Sequence, residues 1–236
     1  MSQELARCID HTLLRPEATA SDIEGLCTEA RAHGFHSVCV HGSRVVQAAH
    51  LLTDSAVKVA AVAGFPLGAT EADVKRFECE SLIDLGAQEL DVVLNIGRLK
   101  DGDDRYVFRE LRDLVEAADG VPVKVILECA LLTDEEKRRA ASLVVESGAA
   151  FVKTSTGFGP GGATAEDVAL LRSVVGPKIG VKASGGIRDT ATALALLGAG
   201  ATRLGTSSGV AIVRGDCGHV RTGLLSGVSI HPRSHG

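Results

Sequence analysis

With 236 residues, 45% of them hydrophobic, and a net charge of −5, the chain can bury a large core and is poorly suited to nucleic acid or an anionic membrane surface. Aromatics are only 3%, with no Trp, so the core must be built from Val, Ile, Leu and Ala. The six cysteines form no CxxC pair, the eight histidines show no HExxH spacing, and no run approaches the ~20 apolar residues of a membrane span; this predicts free thiols in a cytoplasmic protein with no metal and no membrane.

Taken in order, short apolar runs alternate with segments of helical period. The runs predict strands at Cys8 to Leu13, Ser37 to Val40, Val57 to Val62, Glu89 to Leu94, Val123 to Leu127, Phe151 to Lys153, Gly180 to Lys182 and Thr202 to Leu204. Between them, helices are predicted at Ala20 to Ala32, Glu71 to Leu85, Arg105 to Ala118, Thr133 to Glu146, Ala165 to Val175 and Thr190 to Leu197. Ser21, Thr70 with Asp73, Thr133 with Glu136, and Asp189 read as helix starts, while Gly34, Gly86, Gly148 and Gly198 read as stops. Eight strands alternating with helices predict a parallel sheet closed as a single (β/α)8 TIM barrel. No linker divides the chain, so residues 1–225 read as one domain, followed by a flexible tail at 226–236 of Ser, His, Pro and Gly.

Chemistry in such a barrel lies where strands run out into loops at their C-terminal ends. The polar residues there are Asp10, His11, Thr12, Cys39, His41, Asp91, Asn95, Glu128, Lys153, Thr154, Lys182, Ser184, Ser207 and Ser208. Lys153 closes an apolar strand and precedes Thr154-Ser155-Thr156-Gly157. A buried ammonium tends to lose its proton, and a neutral amine can attack a carbonyl to form a Schiff base. The residues alone leave open a lysine whose ammonium simply reaches water or a carboxylate. Asp91 and Lys182 are inward charges of opposite sign that could answer each other as a structural ion pair or take part in proton transfer. At three consecutive strand ends, Gly157, then Gly185 and Gly186, then Gly205 with Ser207 and Ser208, supply amides and hydroxyls of the kind that hold phosphate. An isomerase base or a non-catalytic phosphometabolite pocket on the same barrel stays open at this point.

The combined phrases resemble deoxyribose-phosphate aldolase, a class I, Schiff-base-forming aldolase family. They are Ile9-Asp10-His11-Thr12-Leu13-Leu14, Val38-Cys39-Val40, Gly64-Phe65-Pro66-Leu67-Gly68, Glu89-Leu90-Asp91-Val92-Val93, Val123-Lys124-Val125-Ile126-Leu127-Glu128, Phe151 to Gly157, Val181 to Arg188, and Gly205-Thr206-Ser207-Ser208. The resemblance implies a cofactor-free, metal-independent carbon–carbon lyase. Its reaction is reversible cleavage of 2-deoxy-D-ribose 5-phosphate, in deoxyribonucleotide catabolism, to D-glyceraldehyde 3-phosphate and acetaldehyde. It also implies that Lys153 forms the Schiff base, that Asp91 and Lys182 relay protons with ordered water, and that phosphate sits near Gly157, Gly185, Gly186, Gly205, Ser207 and Ser208. The partners it implies are phosphosugar and aldehyde substrates and further copies of the chain, as a dimer or tetramer, with no nucleic acid. Two departures stand out: His41-Gly42 replaces the Asn-Pro of many relatives, and the tail lacks the terminal tyrosine of some.

By this reading Lys182 is the cation that depresses the pKa of Lys153. At an ordinary lysine pKa of about 10.4, only around one side chain in a thousand is neutral at physiological pH. Lys124 is expected to be a supporting charge, and Cys39 a packed thiol rather than a nucleophile.

Overall fold

A computed structural model describes residues 2–215; the tail at 226–236 and Cys217 lie outside the described residues. The strands are β1 (Ile9–Thr12), β2 (Ser37–Val40), β3 (Lys58–Ala63), β4 (Glu89–Val93), β5 (Val123–Ile126), β6 (Phe151–Lys153), β7 (Gly180–Ser184) and β8 (Arg203–Thr206). All pair parallel in chain order, and β8 returns to β1, with Ile9 opposite Leu204, to close the barrel. Each expected strand is present, β2 and β6 with the expected bounds and the others with ends displaced by at most two residues.

The connections are α1 (Ser2–Ala6), α2 (Ala20–His33), α3 (Val45–Leu51), α4 (Ala72–Asp84), α5 (Ile96–Lys100), α6 (Asp104–Ala117), α7 (Asp134–Ser147), α8 (Ala165–Val175), α9 (Thr190–Gly198) and α10 (Gly209–Arg214). Thr133 and Glu136 form the expected capping box of α7, and Gly34 and Gly148 end α2 and α7 in the left-handed conformation. Two starts differ from expectation. Thr19, not Ser21, caps α2, because its hydroxyl and the Asp22 carboxylate satisfy each other's backbone N–H groups. Glu71, not Thr70, caps α4, its carboxylate accepting from Ala72 N–H at 3.3 Å. The last stop is displaced as well: Gly198 ends α9 and Ala199 caps it. Among the described residues, no helix is long and apolar enough to cross a membrane.

Strand alternation divides the interior into two regions. Outward residues such as Val38, Val40, Leu90, Val92, Val125, Val152, Val181 and Leu204 pack against the helices in one large core. Inside the barrel, Cys39, Ala60 and Val62 from β2 and β3 form a small apolar cluster with Leu14. The opposite side of the interior carries Glu89 and Asp91 on β4, Lys124 on β5, Lys153 on β6, Lys182 on β7 and Arg203 on β8, all buried. Barrels of this type are usually filled by branched apolar layers. Here one side of the interior is ionic from floor to mouth.

Candidate active site

Lys153 is the last residue of β6, and its register partner on β7 is Lys182. Lys153 is only 2% exposed. Its Nζ donates to Asp91 Oδ2 at 2.7 Å, and Lys182 Nζ donates to the same oxygen at 2.7 Å. Lys124 takes the other oxygen, Oδ1, also at 2.7 Å. Asp91 is therefore the hub of three lysines, where the sequence suggested a single partner. Lys182 donates in addition to Asp10.

Burial pushes the pKa of Lys153 down, and Lys182 pushes it the same way against the opposing pull of Asp91. Desolvation, not the neighbouring ammonium, is thus the larger cause. Lys182 is equally buried, yet Asp10 and Asp91 outweigh its desolvation and hold it charged, above the ordinary lysine range. Burial opposes ionisation of Asp91, but Lys124, Lys153 and Lys182 together keep its carboxyl well below the usual carboxylate range. Three groups in hydrogen-bond reach are thereby sorted into an amine biased toward neutrality, a committed cation and a committed anion.

Above Lys153 opens a cavity of about 280 Å³, lined by Lys153, Thr156, Gly157, Ser184, Gly185, Gly186, Gly205 and Ser207, with Thr12, Leu14, Arg15, Phe158 and Arg188 completing the wall. Asp91 and Lys182 lie beneath it, fully buried. Gly157, Gly185 and Gly186 have φ of 86°, 88° and 78°, so the turns that present their amides require glycine. Gly205 is needed for a different reason: a Cβ there would come within 3.0 Å of Lys182 Cε. Ser208 is not part of the lining; its N–H goes to Thr206 Oγ1 at 2.9 Å. Arg15 and Arg188 were not singled out by the sequence reading, although Arg188 directly follows Gly185-Gly186-Ile187.

The remaining polar strand ends have separate tasks. Thr154 Oγ1 donates to Ser184 O at 3.2 Å, and Ser184 N–H donates back to that hydroxyl at 3.1 Å, tying β6 to β7 beside the lysines. Glu128 is buried in the left-handed region at φ 56°, and its carboxylate accepts from the Thr156 N–H at 3.2 Å and from the Thr156 hydroxyl. A non-glycine residue held there stores backbone strain, which is common at functional loops. His11 turns away to Glu29 at 2.7 Å, and Asn95 caps α5. His41 Nε2 meets Leu14 O at 2.8 Å. Cys39 is enclosed in the barrel, where burial pushes its thiol pKa up, as suits a packed thiol. Asp10, His36 and Glu89 lie close enough to hold a metal ion, but Lys124, Lys182 and Arg203 already reach their carboxylates.

A closed parallel barrel carrying a desolvated lysine at its mouth, below a turn-lined cavity, has the framework of a lysine-dependent barrel lyase. A family model described as "DeoC/LacD family aldolase" matches residues 5–230. The chain is 56% identical over 216 residues to deoxyribose-phosphate aldolase of Geobacillus sp. (strain WCH70), covering 91% of this chain and 97% of that one. Among solved structures, it matches deoxyribose phosphate aldolase from Aeropyrum pernix with TM-score 0.85 and 38% identity, over 91% of each chain. A putative deoxyribose-phosphate aldolase from Coccidioides immitis matches with TM-score 0.89 and 40% identity, over 91% of this chain and 86% of that one. The chain belongs to the DeoC/LacD aldolase family.

Proposed function

We propose that the chain is a class I deoxyribose-phosphate aldolase, cleaving 2-deoxy-D-ribose 5-phosphate to D-glyceraldehyde 3-phosphate and acetaldehyde, with Lys153 as the Schiff-base residue. The observation that carries this reading is the position of Lys153 Nζ, buried against Asp91 and Lys182 and yet lining the cavity. The neutral amine attacks the aldehyde carbon of the open-chain sugar, and loss of water leaves an iminium. The iminium draws the electron pair of the C2–C3 bond into a new C1–C2 double bond as the sugar's 3-hydroxyl gives up its proton. Glyceraldehyde phosphate departs, and an enamine stays on Lys153. Protonation of the enamine carbon and hydrolysis then release acetaldehyde. Lys182, held charged, and Asp91, held anionic, are suited to orient the water through which protons reach and leave the reacting atoms. The protonated imine is the electron sink, so the cycle calls for no Lewis acid.

The phosphate is assigned to Gly157, Gly185, Gly186, Gly205 and Ser207, with Arg15 and Arg188 as the cations on the same wall. Ser208, which is not in the lining, is left out of this assignment. Held away from the reacting carbon, the phosphate contributes binding energy to orientation. A Cβ on Gly162 would sit 2.3 Å from Gly185 O, so Gly162→Ala must displace the Gly185-Gly186 turn. We expect KM for the phosphorylated sugar to rise roughly 10- to 100-fold, with acetaldehyde trapping on Lys153 unchanged; an unaltered KM would remove the phosphate from this turn.

The chain is further read as one domain over 1–225 and as a cytoplasmic homo-oligomer. The relative from Aeropyrum pernix is described as a tetramer. Leu67 and Phe77, 75% and 71% exposed, give the face around α4 an apolar character that suits self-association. The decisive experiment is trapping with acetaldehyde and borohydride in the presence of EDTA, followed by peptide mass spectrometry. A reduced adduct on Lys153 is expected, and an unmodified Lys153 at saturating aldehyde would falsify the reading.

A further inference from the structure

The ionic cluster that ends at Lys153 continues down the barrel to its opposite end, where the chemistry assigned above has no use for it. Glu89 and Arg203 are the first residues of β4 and β8, on the floor of the barrel. One Arg203 nitrogen donates to Asp10 Oδ1 at 2.9 Å and to Glu89 Oε2 at 3.0 Å. Glu89 Oε2 also receives Lys124 Nζ at 2.7 Å, and Lys124 in turn reaches Asp91. Two routes therefore join floor to mouth: Arg203 through Asp10 to Lys182, and Glu89 through Lys124 to Asp91. The guanidinium is held over the Phe151 ring at 5.2 Å. A purely apolar floor would fill the same space, so this ionic arrangement calls for a reason.

Counting charge supplies one. Asp10, Glu89 and Asp91 bring three negative charges, and Lys124, Lys182 and Arg203 bring three positive ones. The interior is neutral when Lys153 carries no proton and has one excess positive charge when it does. Excess charge in a desolvated interior is costly, so this balance favours the free amine. The count covers the groups paired with one another inside the barrel; other groups face the cluster from around it. Cys39 on β2 is a buried thiol, and β3 presents Ala60 and Val62. His36 and Lys58 meet Glu89 from the floor rim at 2.9 and 3.7 Å with side chains 25% and 43% exposed, where solvent screens them. Arg15 and Arg188 stand at the cavity wall, and Glu128 accepts from the uncharged Thr156 at the mouth; the floor substitutions leave all three in place, so they cancel in the comparison with the parent.

We propose that Glu89 and Arg203, on the barrel floor, are positioning residues that hold Lys153 in its uncharged, nucleophilic form by balancing the charge of the barrel interior. The inference rests on the assignment of Lys153 as the imine-forming residue. Removing either floor charge moves the balance without touching substrate, and the two removals act in opposite directions. Loss of the Glu89 carboxylate leaves a positive excess, which disfavours protonated Lys153 and extends trapping to lower pH. Loss of the Arg203 guanidinium leaves a negative excess, which favours protonated Lys153 and delays trapping to higher pH. At an effective dielectric of about 20, a unit charge removed ~10 Å away shifts a titration by roughly one pH unit.

The experiment is the pH dependence of acetaldehyde trapping on Lys153 with cyanoborohydride, read by mass spectrometry in the full chain. Relative to the parent, the midpoint is expected to fall by about one unit in Glu89→Gln and to rise by about one unit in Arg203→Met. Arg203→Lys keeps the charge and should stay near the parent. The double variant Glu89→Gln/Arg203→Met restores the count and should return there. Because Gln retains the shape of Glu, the Glu89 arm carries the test even if Arg203→Met folds poorly. A merely structural role lowers yield without moving the midpoint, so unmoved midpoints, or shifts of the same sign, overturn the proposal. Absence of an adduct in the parent removes the aldolase reading and this inference with it. An adduct whose midpoint ignores the floor charges removes this inference alone.

Discussion

Lys153→Arg is expected to abolish cleavage of 2-deoxy-D-ribose 5-phosphate, with kcat falling more than about 10⁴-fold, which corresponds to over ~5 kcal/mol of lost transition-state stabilisation. The substitution keeps a hydrogen-bond donor beside Asp91, so the contact that Lys153 makes at 2.7 Å has a successor. What it removes is the neutral state. A guanidinium holds its proton throughout the physiological range and cannot attack a carbonyl. The site at Lys153 is only 2% exposed, and the bulkier head must displace neighbours, an overpacking cost of typically 1–3 kcal/mol. That cost lowers Tm but leaves the barrel folded, as near-UV circular dichroism and thermal unfolding will report. Substantial turnover in folded Lys153→Arg would mean that the covalent step lies elsewhere, with Lys182 the first residue to test.

Much of this was legible in the chain itself, for physical reasons that differ by residue. The strands were legible because each is a short apolar run between helix stops and starts, and β4 carries its inward charges, Glu89 and Asp91, in alternation. Lys153, Asp91 and Lys182 stood out because a charge inside such a run demands a partner. Helix α3, seven residues long, was missed because two turns are too few to establish a period. Arg203 was missed for a different reason. It occupies the strand of Leu204 and Gly205 as Lys182 occupies that of Val181 and Ala183, but it stands at the strand's start, where a charge is ordinarily solvated. Its engagement with Glu89 and Asp10 depends on barrel closure across a sequence separation of 114 and 193 residues. No local pattern encodes that meeting. Both causes of the Lys153 bias, the like-charge neighbour Lys182 and desolvation, were legible, but their order was not: sequence put Lys182 first, whereas depth of burial, the larger contribution, requires the fold.

Asp91→Asn separates the two halves of the mechanism. The carboxylate accepts from Lys124, Lys153 and Lys182, each at 2.7 Å. An amide preserves the shape but removes the charge that all three share. Breaking a buried pair by neutralising one partner costs about 3–5 kcal/mol, so the variant should be less stable than the parent by that order at neutral pH. The pH dependence has a fixed sign. The Asp91 carboxyl is held well below its ordinary value in the folded chain. Its contribution is therefore present above the unfolded value of about 3.9 and is lost as pH falls toward the folded one. The stability gap between parent and Asp91→Asn should narrow steadily below about pH 4. Denaturant unfolding at a series of pH values measures it, and a gap independent of acid pH would mean that Asp91 is not ionised in the parent. Catalysis should divide in a different way. Loss of an anion beside Lys153 favours its neutral form, so acetaldehyde trapping persists and reaches to lower pH. Turnover nonetheless falls by about 10²- to 10⁴-fold, because Lys182 loses the anion that orients it and the neighbouring water for proton transfer. Retained trapping with collapsed turnover assigns Asp91 to the proton steps, whereas parallel loss of both would tie it to imine formation itself.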